Sequence, residues 1–308
     1  MLQEPLIYIV ILNYNGFTDT FECVKSLENI TYNNFKLVIV DNCSTDDSYE
    51  KLKKTFPNYK VIETYDNLGY AGGNNFGVKY VMKQNPEYIL ILNNDIIVDK
   101  NFLSNMLQSI DTDNIGVLSP KVYFYKTKII NSFGAKKTLL NTIKNNYEGI
   151  DEDLSIILDK NDYVKYVMGC CMLIKKEVIR EFGLFDEKYF MYLEESDFCH
   201  RINKSYKIKV ISNSIIWHKN GSSTKTTGLN YFTTYYYRRN SLYFISKNFS
   251  LFRLIFSSML FILKDSFYTI KYRDISYLKV LLWAWKDFFS KRLGKNNNIL
   301  NLIIDVRQ

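Results

Sequence analysis

Tyr88-Ile89-Leu90-Ile91-Leu92-Asn93-Asn94-Asp95 is the stretch that decides the architecture: five β-prone apolar residues run straight into two amides and a carboxylate. A short apolar run without alternation, bounded by polar residues, reads as a strand covered on both faces, as in a parallel sheet. In open α/β sheets ligands bind outside the carboxyl ends of the strands. Asp95 therefore sits where either a turn or cap residue or a ligand group is expected. A hard divalent cation that takes most of its oxygens from a diphosphate and water needs only such a carboxylate from the protein.

Working outward, residues 6–12 and 36–40 are further β-rich runs and 61–63 is a weaker one. Between them, residues 18–28, 46–56 and 74–83 carry the spaced apolar positions and N-terminal capping residues of helices. Alternating strands and helices predict a parallel sheet. The segments after the strands are polar: Asn13-Tyr14-Asn15-Gly16, Asp41-Asn42-Cys43-Ser44-Thr45-Asp46, and residues 66–75 with Asn67, Gly69, Asn74 and Asn75. All fall on one edge of the sheet, which makes that edge a nucleotide crevice. Beyond Ile115 the order weakens, and residues 126–162 read as loops and short strands. It returns as a strand-like run at 163–174, a helix at 175–182, a helix from Glu194 to Asn203, and short strands at 208–211 and 215–217 that deliver His218.

The chain has 308 residues, 47% of them hydrophobic, enough for one substantial core and an appended region. Its formal charge of +8 is unevenly spread. From Lys225 to Gln308 there are 14 Lys and Arg against 4 Asp and Glu, net +10, leaving −2 on residues 1–224. The same segment holds 19 of the 49 aromatics, a pairing that suits an anionic, partly apolar partner surface rather than a nucleic acid. Five cysteines in no zinc or CxxC spacing fit a reducing cytosolic compartment. The N-terminal residues carry no signal-peptide pattern. The longest apolar tract, 251–263, is broken by Arg253, Ser257 and Ser258 and is shorter than the roughly 20 residues of a membrane span.

Several residues can do chemistry. Asp41, ahead of an Asx-turn and helix cap, can accept the imide N–H of a pyrimidine, a discriminating contact because unpaired buried polar groups are costly. Residues 69–77 are glycine-rich but match neither the dinucleotide nor the Walker spacing. They let backbone approach a ribose or diphosphate, with Asn74 and Asn75 donating at a helix start. Glu194, Glu195 and Asp197 follow the aromatic run 189–193 at a helix N-terminus. The macrodipole favours acids there, and burial beside aromatics raises a carboxyl into the range of a general base. Of the two histidines, His200 reads as structural, whereas His218 ends an apolar strand, precedes the polar run 219–224 and can complete a Mn²⁺ or Mg²⁺ site.

Taken in order, Asn13-Tyr14-Asn15, Asp41 to Asp46, Asn67 to Asn74, Leu92-Asn93-Asn94-Asp95, Phe185-Asp186-Glu187, Glu194-Glu195-Ser196-Asp197-Phe198-Cys199-His200-Arg201 and Trp217-His218 to Ser223 resemble glycosyltransferase family 2, most closely its rhamnosyltransferase-type branch. The likeness covers about residues 5–245. It implies a GT-A fold, a nucleotide diphosphate sugar donor, a divalent metal (Mg²⁺ or Mn²⁺) and inversion at the anomeric carbon. The family's Asp-X-Asp metal motif has Asn93 at its first position here, which leaves Asp95 as the principal carboxylate. By the resemblance, Asp41 reads the base, with Asn13, Asn15, Asn67, Gly69, Asn74, Asn75, Asn93 and Asn94 lining the donor site. Asp95 and His218 hold the metal, and Glu195 is the general base, with Glu194 and Asp197 as alternatives.

The expected division is a catalytic domain over 1–228, with a nucleotide-sugar half (1–115) and an acceptor half (116–228), followed by a helical basic and aromatic extension over 229–308. The expected activity is transfer of a sugar to a hydroxyl of a cell-surface glycan or lipid-linked saccharide. An inactive nucleotide-sugar-binding protein and a nucleotidyltransferase are the competing classes on such a sheet. The extension is expected to lie on the anionic inner face of the cell membrane or to pack on protein, including a second copy of the chain.

Overall fold

The computed structural model describes residues 4–108, 110, 114–135, 162–219 and 230–299. Its first half is built from β1 (Ile7–Asn13), α1 (Phe17–Leu27), β2 (Phe35–Asp41), α2 (Ser48–Thr55), β3 (Lys60–Glu63), α3 (Gly69–Met82), β4 (Tyr88–Asn93), β5 (Ile96–Val98) and α4 (Phe102–Leu107). β1 pairs in parallel with β2 and β4, and β2 with β3. Successive side chains point to opposite faces. Tyr8, Val10, Val38, Val40, Ile89 and Ile91 meet α3 on one side, while Ile7, Ile9, Ile11, Leu37, Ile39, Leu90 and Leu92 meet α1, α2 and α4 on the other. Coverage of both faces is why these strands read as continuous apolar runs. Each fully buried aliphatic side chain contributes about 1.5–3 kcal/mol.

The second half adds β6 (Ile115–Phe124), β7 (Ile130–Ser132), β8 (Asp162–Val164), β9 (Cys171–Lys175), α5 (Lys176–Phe182), α6 (Glu194–Ile202) and β10 (Lys207–His218). One mixed sheet runs in the order β3-β2-β1-β4-β9-β6-β10-β5, with β7 on β6 and β8 on β10. Three expectations differ from this. The run 163–174 is two strands: β8 lies on β10, and β9 lies antiparallel between β4 and β6. The strands at 208–211 and 215–217 are one, β10, whose register on β6 shifts between Ile211 and Ile215. Pro120 lies opposite Ile211, so the missing proline donor falls at that irregularity.

The third difference concerns the glycine-rich segment. It is no loop, because α3 already begins at Gly69. A Cβ at Gly77 would stand 2.6 Å from both Val10 Cγ1 and Val40 Cγ2, so glycine there lets the helix lie directly on β1 and β2. Of the expected loop region 126–162, residues 136–161 lie outside the described residues, as does the expected boundary at 228/229.

The extension forms α7 (Tyr231–Asn248), α8 (Leu251–Tyr272) and α9 (Ile275–Phe289). α7 is buried against the rest of the protein. Arg239 Nη2 donates to the Tyr189 carbonyl (3.2 Å) and Nη1 to Gly294 (2.8 Å), and the Asn240 amide lies 2.7–2.9 Å from the carbonyls of Tyr189, Met191 and Tyr192. α8 is the opposite case: among its described side chains only Asp265 is buried, paired with Arg238 of α7.

Candidate active site

Register brings Asp95 and His218 together. β4 ends at Asn93, β5 starts at Ile96, and Ile96 is the antiparallel partner of His218 on β10. The Lys219 backbone N–H donates to the Asp95 carbonyl at 3.0 Å, and Asp95 Oδ2 stands 3.2 Å from His218 Nε2. The other ring nitrogen, Nδ1, is 3.4 Å from Asn131 Oδ1 of β7. A proton on Nδ1 shared with Asn131 leaves the Nε2 lone pair aimed at Asp95, the arrangement of a ligating imidazole fixed by its second nitrogen. Neighbouring ligands on an octahedral cation with bonds of 2.0–2.1 Å are about 3.0 Å apart, close to the observed separation. Among the described residues no three His, Cys, Asp or Glu converge on a metal position. A cation here would take its remaining oxygens from diphosphate and water, so the donor set fits a substrate-bridging metal.

Lys219 Nζ closes this corner, paired with Asp19 (2.9 Å) and Glu22 (2.7 Å) of α1. Asn94 Nδ2 donates to Thr20 Oγ1 at 3.0 Å, and the Asn93 N–H donates to the Cys170 carbonyl at 2.9 Å.

The acidic corner begins with a distorted turn. Phe190, Tyr192 and Leu193 all take left-handed φ angles (64°, 69° and 73°). Such backbone costs on the order of 1–3 kcal/mol per residue and persists only where surrounding structure enforces it. Arg239 and Asn240 of α7 supply that enforcement through the carbonyls of this turn. Gly69 is fitted against it, since a Cβ there would stand 2.3 Å from the Phe190 carbonyl oxygen.

The turn delivers α6 with Glu194 buried and Glu195 partly exposed. Glu195 Oε1 accepts the Tyr166 hydroxyl at 2.8 Å. Burial pushes the Tyr166 phenol well up, reinforced by Glu195, so it stays protonated and donates. Burial also raises Glu195, while the Tyr166 bond, backbone N–H groups and Glu194 hold it back. Glu194 is raised well above the usual carboxylate range, first by burial and then by the Glu195 charge. As ionised groups, Glu194 Oε2 and Glu195 Oε2 are both buried without a donor. Glu194 is raised the further of the two, so it is the member of the pair that holds a proton. Glu195 is then the carboxylate poised to accept a proton.

Asp197 stands apart from this pair. It is fully buried and accepts from Arg201 Nε (2.9 Å), Lys247 Nζ (3.0 Å), Asn248 Nδ2 (3.2 Å) and the Tyr189 hydroxyl (3.3 Å). These bonds tie α6 to α7. Glu195 and Asp95, by contrast, share a neighbour: the buried Cys170 thiol is driven up by burial, then by the charges of Asp95 and Glu195.

The nucleotide edge is already knitted together. Asp41 is fully buried and accepts the Ser44 N–H and hydroxyl (both 2.8 Å) and Asn13 Nδ2 (2.7 Å). Thr20 Oγ1 donates to Asn13 Oδ1 (2.7 Å), and Asn15 is bonded to Ser44 and Thr45. Asn67 Oδ1 accepts the Gly69 N–H at 2.9 Å. Asn75 bridges to the Phe185 backbone and Glu187, stapling α3 to the segment before α6. Asn74 gives its amide to the Tyr70 carbonyl (2.9 Å), and its Oδ1 is buried without a donor. Residues 220–224 of the polar run after His218 lie outside the described residues.

Sequence reasoning missed Tyr166, Asn131 and the ion pairs of Lys219. No local signal marks the first two: Asn131 reaches the site through the pairing of β7 with β6, and Tyr166 through its bridge to Ala135. Lys219 carried a signal, standing next to His218 at a strand end.

Residues 8–183 match the model of the family described as Glycosyl transferase family 2. The low-salt glycan biosynthesis hexosyltransferase Agl10 of Haloferax volcanii is 28% identical over 198 residues, which span 64% of this chain and 61% of that protein. Rhamnosyltransferase WbbL of Escherichia coli is 27% identical over 213 residues, 64% of this chain and 77% of its own length. In structure, the mannosyltransferase PcManGT from Pyrobaculum calidifontis, in complex with GDP-Man and Mn²⁺, superposes with a TM-score of 0.55 over 80% of this chain and 64% of that one, at 14% identity. That likeness gives the fold, GT-A. With over half of its length inside the family model, including the strand mouth at Asp95, the chain belongs to glycosyl transferase family 2.

Proposed function

We propose that the protein transfers a sugar from a nucleotide diphosphate sugar to a hydroxyl of a glycan or lipid-linked saccharide, with inversion at the anomeric carbon. The observation that carries this reading is the Asp95–His218 pair where β4 and β10 end, together with the Glu195 carboxylate held by Tyr166 at the head of α6. Glu195 takes the proton of the acceptor hydroxyl. The acceptor oxygen attacks the anomeric carbon from the face opposite the diphosphate. The anomeric C–O bond breaks, its electron pair leaves with the diphosphate, and the proton stays on Glu195. Asp95 and His218 would hold a divalent cation, which would supply positive charge to the leaving diphosphate. Tyr166 orients Glu195, and Glu194 stays protonated beside it.

The donor half is supported by two kinds of protein that this chain resembles: a mannosyltransferase in complex with GDP-Man and Mn²⁺, and a rhamnosyltransferase and a hexosyltransferase of glycan biosynthesis. A thermal-shift panel of nucleotide sugars with and without Mn²⁺ tests it, because a ligand that binds only the folded state raises its melting temperature. At least one nucleotide sugar should raise Tm in the presence of Mn²⁺. A panel in which none does would remove the reading.

The extension places the enzyme on the inner face of the membrane in this reading. No helix among the described residues is long and apolar enough to cross a bilayer. On α8, however, Leu251, Phe252 and Ile270 are 71%, 78% and 76% exposed, with Ile255, Met259, Leu263 and Phe267 also uncovered. A basic helix with such residues outward can lie in the headgroup region. The full-length protein should pellet with anionic vesicles at low salt and release as salt screens the charge. If it stays in the supernatant, α8 is a contact for a second copy or another protein.

A further inference from the structure

A cavity of about 620 Å³ opens where the C-terminal end of α7, the first turn of α8 and the end of α9 meet. This is the size of a small-ligand site. Its lining combines the apolar side chains of Leu254, Phe288, Phe289 and Leu293 with the polar ones of Lys188, Lys291, Tyr243 and Ser246.

The cations near this cavity fall into two groups. Lys247 is paired with Asp186 and Asp197, Arg292 with Asp287, and Lys295 with Asp66. Among the described residues, Lys188 and Lys291 have no carboxylate partner, although both line the cavity. The first turn of α8 adds the partial positive charge of a helix N-terminus. Leu251, Phe252 and Ile255, in the same turns of α8 as Leu254, are exposed apolar side chains. An occupant must therefore be anionic at one end and hydrocarbon at the other.

We infer that this cavity binds the phosphate and adjoining chain of one anionic phospholipid, with Lys188 and Lys291 on the phosphate and the apolar side chains on the chain. This rests on the membrane reading above and goes beyond it, because diffuse attraction to an anionic surface needs no cavity. The ligand docks without covalent change. A bound headgroup would fix the orientation of α7, which holds the turn before Glu194.

The test uses the full chain and dihexanoyl-phosphatidylglycerol kept monomeric in solution, so that no bilayer is present, with binding read by calorimetry. Saturable binding of one lipid per chain is expected. The Lys188→Gln/Lys291→Gln double variant should weaken it about tenfold or more, taking about 1 kcal/mol per lysine near an anionic lipid. Leu254→Trp, which fills the cavity without changing charge, should weaken it likewise. Lys279→Gln/Lys286→Gln, an equal charge loss on the exposed side of α9, should leave it unchanged. Absence of saturable binding, equal loss in both lysine pairs, or equally tight binding of inorganic phosphate alone would each overturn the inference. Vesicle pelleting separates the two claims: if vesicles bind while monomeric lipid does not, the membrane reading stands and the cavity falls.

Discussion

Glu195→Gln keeps the shape of the side chain and removes its basicity. Glu195 accepts its Tyr166 bond through Oε1, and a glutamine carbonyl oxygen accepts the same bond, so the pocket should stay closed and folded. The loss then falls on proton transfer, about 10²–10⁴-fold in kcat, with donor KM unchanged because Asp95 and His218 are untouched. Tyr166→Phe gives an independent reading of the same geometry. It removes a hydrogen bond to a charged group, about 1.5–3 kcal/mol, which disfavours the ionised form of Glu195 by roughly 10–150-fold. Since Glu195 is already raised by burial, the wild-type acid limb of kcat against pH should lie above the ordinary glutamate range, and Tyr166→Phe should move it higher still. The plateau rate should stay nearly unchanged. The assay is release of nucleoside diphosphate from donor and acceptor across pH, with melting temperature as the control for folding. Wild-type turnover by Glu195→Gln, or an acid limb that ignores Tyr166→Phe, would refute the assignment of the base.

Glu194 binds its proton more tightly folded than unfolded, so wild-type stability should be full below the ordinary glutamate range and fall as pH rises through the raised folded value. Glu194→Gln should flatten that fall in a plot of Tm against pH; parallel curves would count against the proton on Glu194. Asp197→Asn should destabilise the protein rather than disarm it, costing about 3 kcal/mol by leaving Arg201 and Lys247 short of a buried charge; a variant of normal Tm with no turnover would return Asp197 to the catalytic set. Gly77→Ala should cost about 1–3 kcal/mol in urea unfolding, because its Cβ meets Val10 and Val40 at 2.6 Å. An unchanged midpoint would mean that α3 can lift off the sheet freely.

The first half of the fold was legible because burial on both faces gives β1, β2 and β4 unbroken apolar runs, and because their ends change abruptly to Asn and Asp. The same signal failed at β6, where Ser119, Pro120 and Lys121 interrupt a buried ten-residue strand. It failed at the start of α3, where glycines that serve helix-to-sheet contact look like a loop. Within the site, Asp95, His218 and Glu195 could be named because each stands at the end of an element. The distinction between Glu195 and Asp197 could not be made from spacing. It depends on Tyr166 and Lys247, which come from 29 and 50 residues away. Nor could spacing tell that Asp41 is fully buried and accepts three hydrogen bonds from Asn13 and Ser44.

If Asp95 and His218 act together on a metal-bound diphosphate, Asp95→Ala should abolish transfer. Turnover of the nucleotide sugar that shifts Tm should be measured with Mn²⁺, with excess EDTA, and in the variant. Turnover is expected only in the wild type with Mn²⁺, and in Asp95→Ala an unchanged melting temperature with no turnover. Full turnover by Asp95→Ala, or by the wild type in excess EDTA, would contradict it.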